Sequence, residues 1–398
     1  MVRVHVITTR EEFLAACAEL AAGTGPIAID AERASGFTYS QRAFLIQVHR
    51  REAGSYLFDP PALGRMDELF SSMPDAEWVL HAASQDLACL REVGITPARI
   101  FDTELSARLL GLERVGLGPV IESLLGIHLA KEHSAQDWST RPLPEPWLAY
   151  ATHDVEYLVD LRDVVAQMLE DAGKSEWAAQ EFVATLEKPE KPVPAEPWRK
   201  LSGLHTLRSP RQLAIARSLW LTRDEIAREK DVSPGRLVPD SSLVAAARSS
   251  LTSQSDLAKL REFTGRASRS LISQWWQAWV AGNLDTDLPQ VRVPSDALPP
   301  PRAWADRNPE AHERLTAART ALADIAEAHE LPVENLLTPS ILREVAWHTT
   351  GDVSAEIINA ALIKEGAREW QRALTVDAIV SAFVEANQKL AEDSENVS

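Results

Sequence analysis

Pro26-Ile27-Ala28-Ile29-Asp30-Ala31-Glu32 reads as a buried strand that runs out into carboxylates. Successive strand residues point to opposite faces, so Asp30 and Glu32 share one face. Two carboxylates held side by side repel each other, and a cation between them is what makes such a pair stable. Two further patches follow in order, His81-Ala82-Ala83-Ser84-Gln85-Asp86 and Tyr150-Ala151-Thr152-His153-Asp154. The first of these comes after the apolar strand Trp78-Val79-Leu80, with Asp86 in a helix that begins near Ser84. The other lies in a helix opened by Leu143-Pro144-Glu145-Pro146. There Tyr150 and Asp154 share a face about 40° apart around the axis, while His153 lies about 100° from Asp154 and reads as solvated. Taken singly, each patch has an ordinary reading: a solvated acidic pair, or a first-turn carboxylate favoured by the helix dipole. Together, four carboxylates and a tyrosine aimed at one point are what two-metal phosphodiester hydrolysis needs. A tyrosine hydroxyl one turn from a metal-bound carboxylate can orient the attacking water.

Outward from these patches, the first part of the chain reads as mixed α/β. Short apolar strands fall at residues 4–8, 26–30, 43–48, 55–59 and 77–81, separated by helical segments. Thr9 with Glu12 forms a capping box ahead of the first helix. The stretch Glu187-Lys188-Pro189-Glu190-Lys191-Pro192-Val193-Pro194-Ala195-Glu196-Pro197 cannot continue a helix and reads as a semi-rigid connector. A second proline-rich stretch runs from Pro289 through Pro294 to Pro299-Pro300-Pro301. Past the first connector nothing reads as a strand, and two helical segments echo one another at an offset of one hundred residues. Asp224-Glu225-Ile226-Ala227 recurs loosely as Asp324-Ile325-Ala326, and Leu237-Val238-Pro239-Asp240-Ser241-Ser242-Leu243 as Leu337-Thr338-Pro339-Ser340-Ile341-Leu342. That spacing suits a repeated small domain rather than a solenoid. The expected layout is an α/β domain at 1–185, a linker at 186–200 and a basic helical domain at 201–286. A linker at 287–301, an acidic helical domain at 302–390 and a disordered tail at 391–398 complete it.

At 398 residues, 45% apolar and 25% charged, the composition is that of an ordinary globular protein of two or three domains. No run of eighteen apolar residues is present to span a membrane. The amino terminus alternates like a strand and lacks the apolar core of a signal peptide. Cys17 and Cys89 sit in apolar helical contexts and fit reduced core residues better than a disulfide or metal site. The expectation is a cytoplasmic monomer with no membrane partner. The net charge of −17 argues against a phosphate-binding surface, but it is unevenly spread. Residues 1–170 carry fourteen Lys and Arg against twenty-five Asp and Glu, and residues 302–398 carry nine against seventeen. Residues 199–285 reverse the balance, with fourteen against eight, and are the candidate footprint for an anionic polymer. The plainer alternative is a helical domain that happens to be rich in arginine.

The chain resembles ribonuclease D, in the tyrosine-bearing DEDDy branch of the DEDD 3′→5′ exonuclease superfamily. The likeness covers roughly residues 3–170. It is carried by Ala28-Ile29-Asp30-Ala31-Glu32, Leu45-Ile46-Gln47-Val48, Leu57-Phe58-Asp59-Pro60 and the patch from His81 to Leu87. Phe101-Asp102-Thr103-Glu104 and Leu124-Leu125-Gly126-Ile127 extend it. Its most specific block is Asp137-Trp138-Ser139-Thr140-Arg141-Pro142-Leu143, leading into the stretch from Tyr150 to Leu158. The two helical repeats resemble the HRDC domains that follow the nuclease in this family, the first more closely than the second. Arg33-Ala34-Ser35 departs from the apolar or aromatic residue more usual after the glutamate, which bears on contacts near the terminal nucleotide.

The resemblance implies an RNase H-like mixed-sheet exonuclease domain followed by two small all-α HRDC-like domains. It implies a metal-dependent exoribonuclease releasing nucleoside 5′-monophosphates from RNA 3′ ends, with tRNA precursors as the usual substrate. Asp30, Glu32 and Asp154 would hold the metal that activates water, and Tyr150 would position that water. Asp30 would bridge to a second metal supported by Asp86, two Mg²⁺ or Mn²⁺ ions lying about 3.5–4 Å apart. Oxygen-only ligands suit these hard ions and not zinc. Trp138 is placed either to stack on a base or to pack in the core. Arg141 either meets a backbone phosphate or pairs with a neighbouring acid. Arg211 and Arg217 are candidate phosphate contacts of the basic domain. Gln47 reads as a strand residue, Asp102 as a helix cap, and Trp275, Trp276 and Trp279 as core. Two rivals stand beside this reading: a 3′→5′ DNA exonuclease in repair, and an RNA-binding scaffold without activity.

Overall fold

The computed structural model describes residues 5–129, 133, 135–189, 192–263, 265–292 and 297–396. The amino-terminal part is built on a six-stranded sheet of β1 (Val6–Ile7), β2 (Thr24–Arg33), β3 (Ala43–Arg51), β4 (Gly54–Phe58), β5 (Trp78–Leu80) and β6 (Ile100–Asp102). The order across the sheet is β1-β4-β3-β2-β5-β6. β2, β3 and β4 form an antiparallel meander, β1 runs parallel to β4, and β5 runs parallel to both β2 and β6. The central strand is apolar on both faces, with Ile27, Ala28 and Ile29 wholly buried, as a strand covered by helices on each side requires. β6 goes beyond the five strands read from the sequence, because three residues are too few to show a period. Its last residue, Asp102, caps the helix Thr103–Leu109 by accepting from the amides of Glu104 and Leu105.

Beyond the sheet the chain is helical. The first unit contains the helices Pro210–Lys230, Pro234–Leu237, Asp240–Arg248, Gln254–Lys259, Arg266–Ser270 and Ile272–Leu284. The second contains Pro309–Ala328, Val333–Leu336, Pro339–His348, Ala355–Lys364 and Glu369–Asn396. Both open with a long helix, a single turn and a third helix, which is the repeat that the paired motifs announced. In the first unit the two long helices touch at Gly282, where a Cβ would stand 2.6 Å from the Ile215 Cα. The last helix continues to Asn396, so the expected disordered tail is helical at 391–396, while 397–398 lie outside the described residues. Buried Ala382, Phe383 and Ala386 anchor that helix, and extending an established helix fixes only one residue per added hydrogen bond.

Each helical unit is tied to the sheet domain. In the second, Trp370 stacks on Trp177 with ring centres 4.8 Å apart and donates its indole N–H to Glu181. Arg368 pairs with the same glutamate, and the Lys174 ammonium donates to the carbonyls of Leu109 and His329 at 2.7 and 2.6 Å. The first unit grips the loop between β2 and β3. Asp231, at the end of the helix Pro210–Lys230, accepts from the Ser40 amide at 2.8 Å and the Ser40 hydroxyl at 3.1 Å. The Ser233 amide donates to the Phe37 carbonyl at 2.8 Å, and the Arg236 guanidinium lies 4.0 Å from the Phe37 ring centre. Tyr39 donates its hydroxyl to Asp224. That loop begins where the Asp30-Ala31-Glu32 segment ends, so the helical unit is fastened directly behind the acidic strand.

Candidate active site

The acidic patches meet outside the carboxyl ends of the parallel strands β2 and β5, where ligands of open α/β sheets collect. β2 aims Asp30 and Glu32 into a cleft of about 480 Å³. The helix Glu145–Glu156 packs across the sheet beside β2 and brings Tyr150 and Asp154 to the same cleft. The opposite wall comes from His81, Ala82, Gln85 and Asp86 and from the turn Gly116–Pro119. One carboxylate oxygen from each of Asp30, Glu32 and Asp154 lies within 4.8 Å of the others. Asp86 stands near enough to Asp30, and Tyr150 to Asp154, for each pair to feel the other's charge. The five residues singled out in the sequence are therefore brought together.

Their local setting differs in one respect. Asp86 is not inside a helix that starts at Ser84: a 3₁₀ turn covers Ala83–Gln85, the helix Leu87–Glu92 follows, and Asp86 stands at the junction. Ala82 enters that turn with φ +64°. Asp86 makes no side-chain cap bond to the helix, so its carboxyl is directed at Asp30 rather than spent on the helix end.

Burial and mutual repulsion set the electrostatics. Burial pushes the carboxyls of Asp86 and Asp154 up to about 8, with the nearby Asp30 carboxylate as the next cause for each. Burial and then the charge of Asp30 push Glu32 up to about 10. Asp30 is raised by burial, and burial followed by Asp154 raises the Tyr150 hydroxyl. Four acids that resist ionisation together, offering only oxygen donors, fit a hard divalent cation, whose charge would remove the penalty. Across the cleft, burial pushes His81 down to about 4, so its ring is neutral, and Nδ1 pairs with the Thr103 hydroxyl at 2.9 Å.

Gln47 has a place that its reading as a strand residue missed. It faces Asp30 in the β2–β3 register, is wholly buried, and donates Nε2–H to Asp30 Oδ2 at 2.6 Å. The available signal was a polar side chain inside the apolar run Leu45–Val48, since a buried amide needs a partner. His153 is exposed, as read.

The expected nucleic-acid contacts are corrected. Trp138 is wholly buried against Trp147, with ring centres 5.3 Å apart, and cannot stack on a base. Arg141 clasps Asp59 through two bonds of 2.7 and 3.0 Å, and its remaining donors meet the carbonyls of Phe44, Trp138 and Thr140. Arg211 donates to the carbonyls of Gly282 and Asp285, closing the end of the helix Ile272–Leu284. Arg217 bridges Asp285 and Asp287 at 2.9 Å each. These three arginines hold the protein to itself. Trp275 and Trp279 are core, as read.

The family model for a 3'-5' exonuclease matches residues 4–170, and that for an HRDC domain matches residues 212–278. Residues 297–383 match a separate model, a 3' to 5' exonuclease C-terminal domain. The second helical unit thus shares the helix order of the first but has a family description of its own. A ribonuclease D of Jannaschia sp. is 31% identical over 315 residues, spanning 76% of this chain and 78% of that one. A solved structure of a protein from Bifidobacterium adolescentis covers 96% of this chain and 97% of its own at 37% identity and a TM-score of 0.88. Escherichia coli RNase D, an exoribonuclease involved in structured RNA processing, superposes over 96% of this chain and 99% of its own with a TM-score of 0.69; at 24% identity it is a likeness of fold. With the mixed sheet, the two helical units and the acidic cleft, these matches agree on one assignment: the chain belongs to the ribonuclease D family.

Proposed function

We propose that this protein is a metal-dependent 3′→5′ exoribonuclease that removes nucleoside 5′-monophosphates from RNA 3′ ends. The observation that carries the reading is the convergence of Asp30, Glu32 and Asp154 oxygens within 4.8 Å, with Asp86 and Tyr150 lining the same cleft. In this reading Asp30, Glu32 and Asp154 hold one Mg²⁺ or Mn²⁺, and Asp30 with Asp86 supports a second. Bound divalent ions neutralise the phosphodiester and lower the pKa of a coordinated water. Tyr150 keeps its proton and orients the attacking water from its place on Asp154. Gln47 fixes Asp30 Oδ2. His81, held neutral, adds no charge to compete for the phosphate. The cleft suits a single-stranded 3′ end, because a base inside a duplex is stacked and paired.

Beyond the chemistry, the proposal takes tRNA precursors as substrate and places the protein in the cytosol as a monomer. No helix among the described residues is long and apolar enough to cross a membrane. With Arg211 and Arg217 engaged, the grip on upstream RNA falls to the exposed Arg248, Arg261 and Arg266, whose side chains make no hydrogen bond or ion pair among the described residues. Digestion of matched 5′-labelled RNA and DNA strands in Mg²⁺ tests the reading. Stepwise loss from the RNA 3′ end, with nucleoside 5′-monophosphates as product, is expected. Degradation of the DNA alone would make this a DNA exonuclease, and intact strands of both kinds would leave a binding protein.

A further inference from the structure

Arg33 ends β2, one residue past Glu32, and lines the cleft together with Asp30, Ala31 and Glu32. Alternation along β2 sets Asp30 and Glu32 on one face and Ala31 and Arg33 on the other, and the cleft at the strand end is lined from both. The β2–β3 register slips between Glu32 and Arg33, which pair with Leu45 and Ala43 and leave Phe44 as an extra residue. The extra residue lies on β3, where Phe44 and Leu45 both pack toward Trp138, so β2 keeps its alternation, and the long Arg33 side chain reaches the same cleft as the carboxylates. Its guanidinium carries five N–H donors. The nearest charge is Asp86 Oδ1 at 3.5 Å, and the Arg33 side chain makes no hydrogen bond among the described residues. With its side chain only 27% exposed, water has limited access to those donors.

We propose that Arg33 is a substrate-binding residue whose guanidinium takes a non-bridging oxygen of the scissile phosphodiester. A phosphate entering this cleft meets five acids, and Arg33 is the one arginine or lysine among the described residues that line it. A planar guanidinium matches a phosphate with two parallel N–H···O bonds, which its single long contact with Asp86 leaves available. Its backbone is held: the loop that follows is fastened to the first helical unit through Ser40–Asp231, Phe37–Ser233 and Phe37–Arg236. A donor on a fixed base needs little reorganisation to meet its anion. The helical unit thereby supports the cleft from behind, whatever RNA it also grips.

This inference rests on the exonuclease reading of the same cleft, and its test separates the two. Full-length wild type, Arg33→Gln and Arg33→Lys are compared on three readouts, after circular dichroism confirms equal folding. These are kcat/KM on a short oligoribonucleotide at saturating Mg²⁺, affinity for the same RNA in Ca²⁺, and Mn²⁺ affinity of the free protein by calorimetry. Loss of a charge-assisted hydrogen bond predicts a fall in kcat/KM of about 10- to 100-fold for Arg33→Gln. Arg33→Lys should recover part of it, and Mn²⁺ should bind no more weakly than to wild type. The loss should persist on the p-nitrophenyl ester of uridine 5′-monophosphate, which carries only the reacting phosphate; a loss confined to the oligoribonucleotide overturns the assignment to that phosphate. A fall in kcat/KM that vanishes at saturating metal, tracking weaker Mn²⁺ binding, overturns the proposal and makes Arg33 a partner of Asp86 alone. If wild type leaves RNA uncut, the exonuclease reading fails and the Ca²⁺ arm decides on Arg33: equal affinities for wild type and Arg33→Gln overturn it.

Discussion

Replacing Gln47 by methionine should separate the stability of the fold from its hold on metal. The two side chains are alike in length and volume, so the buried space between β2 and β3 stays filled. What changes is polar. Asp30 Oδ2 loses a 2.6 Å bond from Gln47 Nε2, the side-chain hydrogen bond that fixes its orientation among the described residues. Hydrogen bonds to charged groups contribute about 1.5–3 kcal/mol. If that bond is needed mainly when Asp30 is ionised on a metal, divalent affinity should fall by about 10- to 150-fold, since roughly 1.4 kcal/mol is tenfold. Stability of the metal-free protein should move little, because Gln47 Oε1 is buried with no partner and its removal relieves a desolvation cost of about 1–3 kcal/mol. Mn²⁺ calorimetry and thermal melts in EDTA read the two quantities on the same samples. Wild-type Mn²⁺ affinity in Gln47→Met would refute the reasoning. So would a metal loss matched by an equal loss of metal-free stability, which would make Gln47 a packing residue.

Three other outcomes follow from the same geometry. The raised carboxyls bind protons more tightly folded than unfolded, so the stability they contribute is complete below about 3.8 and is lost as pH rises toward about 8 for Asp86 and Asp154. Melting temperature in EDTA should therefore fall across that window, and the gap between Mg²⁺ and EDTA should widen with pH; a gap independent of pH would contradict it. Arg211→Glu with Arg217→Glu should destabilise the first helical unit by about 0.5–3 kcal/mol per site, because it sets glutamates against Asp285 and Asp287, and a melt unchanged from wild type would count against this. Arg248→Glu with Arg261→Glu and Arg266→Glu should instead leave the melt alone while weakening long-RNA binding and flattening its salt dependence, each lost phosphate contact removing about 0.7–0.9 from the log–log slope. An unchanged slope would move the RNA grip elsewhere.

What the sequence revealed was whatever a short-range period could carry. Asp30 and Glu32 follow from strand alternation, and Tyr150 and Asp154 from one helical turn. Asp86 was placed correctly in space but not in its element, because a left-handed residue at Ala82 and a 3₁₀ turn leave no periodic trace. Arg33 shows the limit of reading one face at a time, since the cleft at the end of β2 takes residues from both faces of the strand. The basic balance of residues 199–285 was real, but composition does not tell which cations are already satisfied. Arg217 finds its acids at 285 and 287, and Arg141 finds Asp59 across the sheet domain. Those partners are set by the packing of elements distant in sequence. For the same reason the sequence does not decide between core and base platform for Trp138, which the packing of Trp147 against it makes core. The carboxylates are left short of positive charge, since five acids and a single arginine line the cleft.

The central claim is that the Asp30–Glu32–Asp154 cluster hydrolyses RNA from its 3′ end with divalent metal. Its most direct test is digestion of a 5′-labelled tRNA precursor bearing a short 3′ extension, with Mg²⁺ or with EDTA, by wild type and Asp154→Ala side by side. The account predicts a ladder shortening from the 3′ end with wild type in Mg²⁺, abolished by EDTA and by the substitution. Shortening that survives EDTA, or that Asp154→Ala carries out at the wild-type rate, would contradict it.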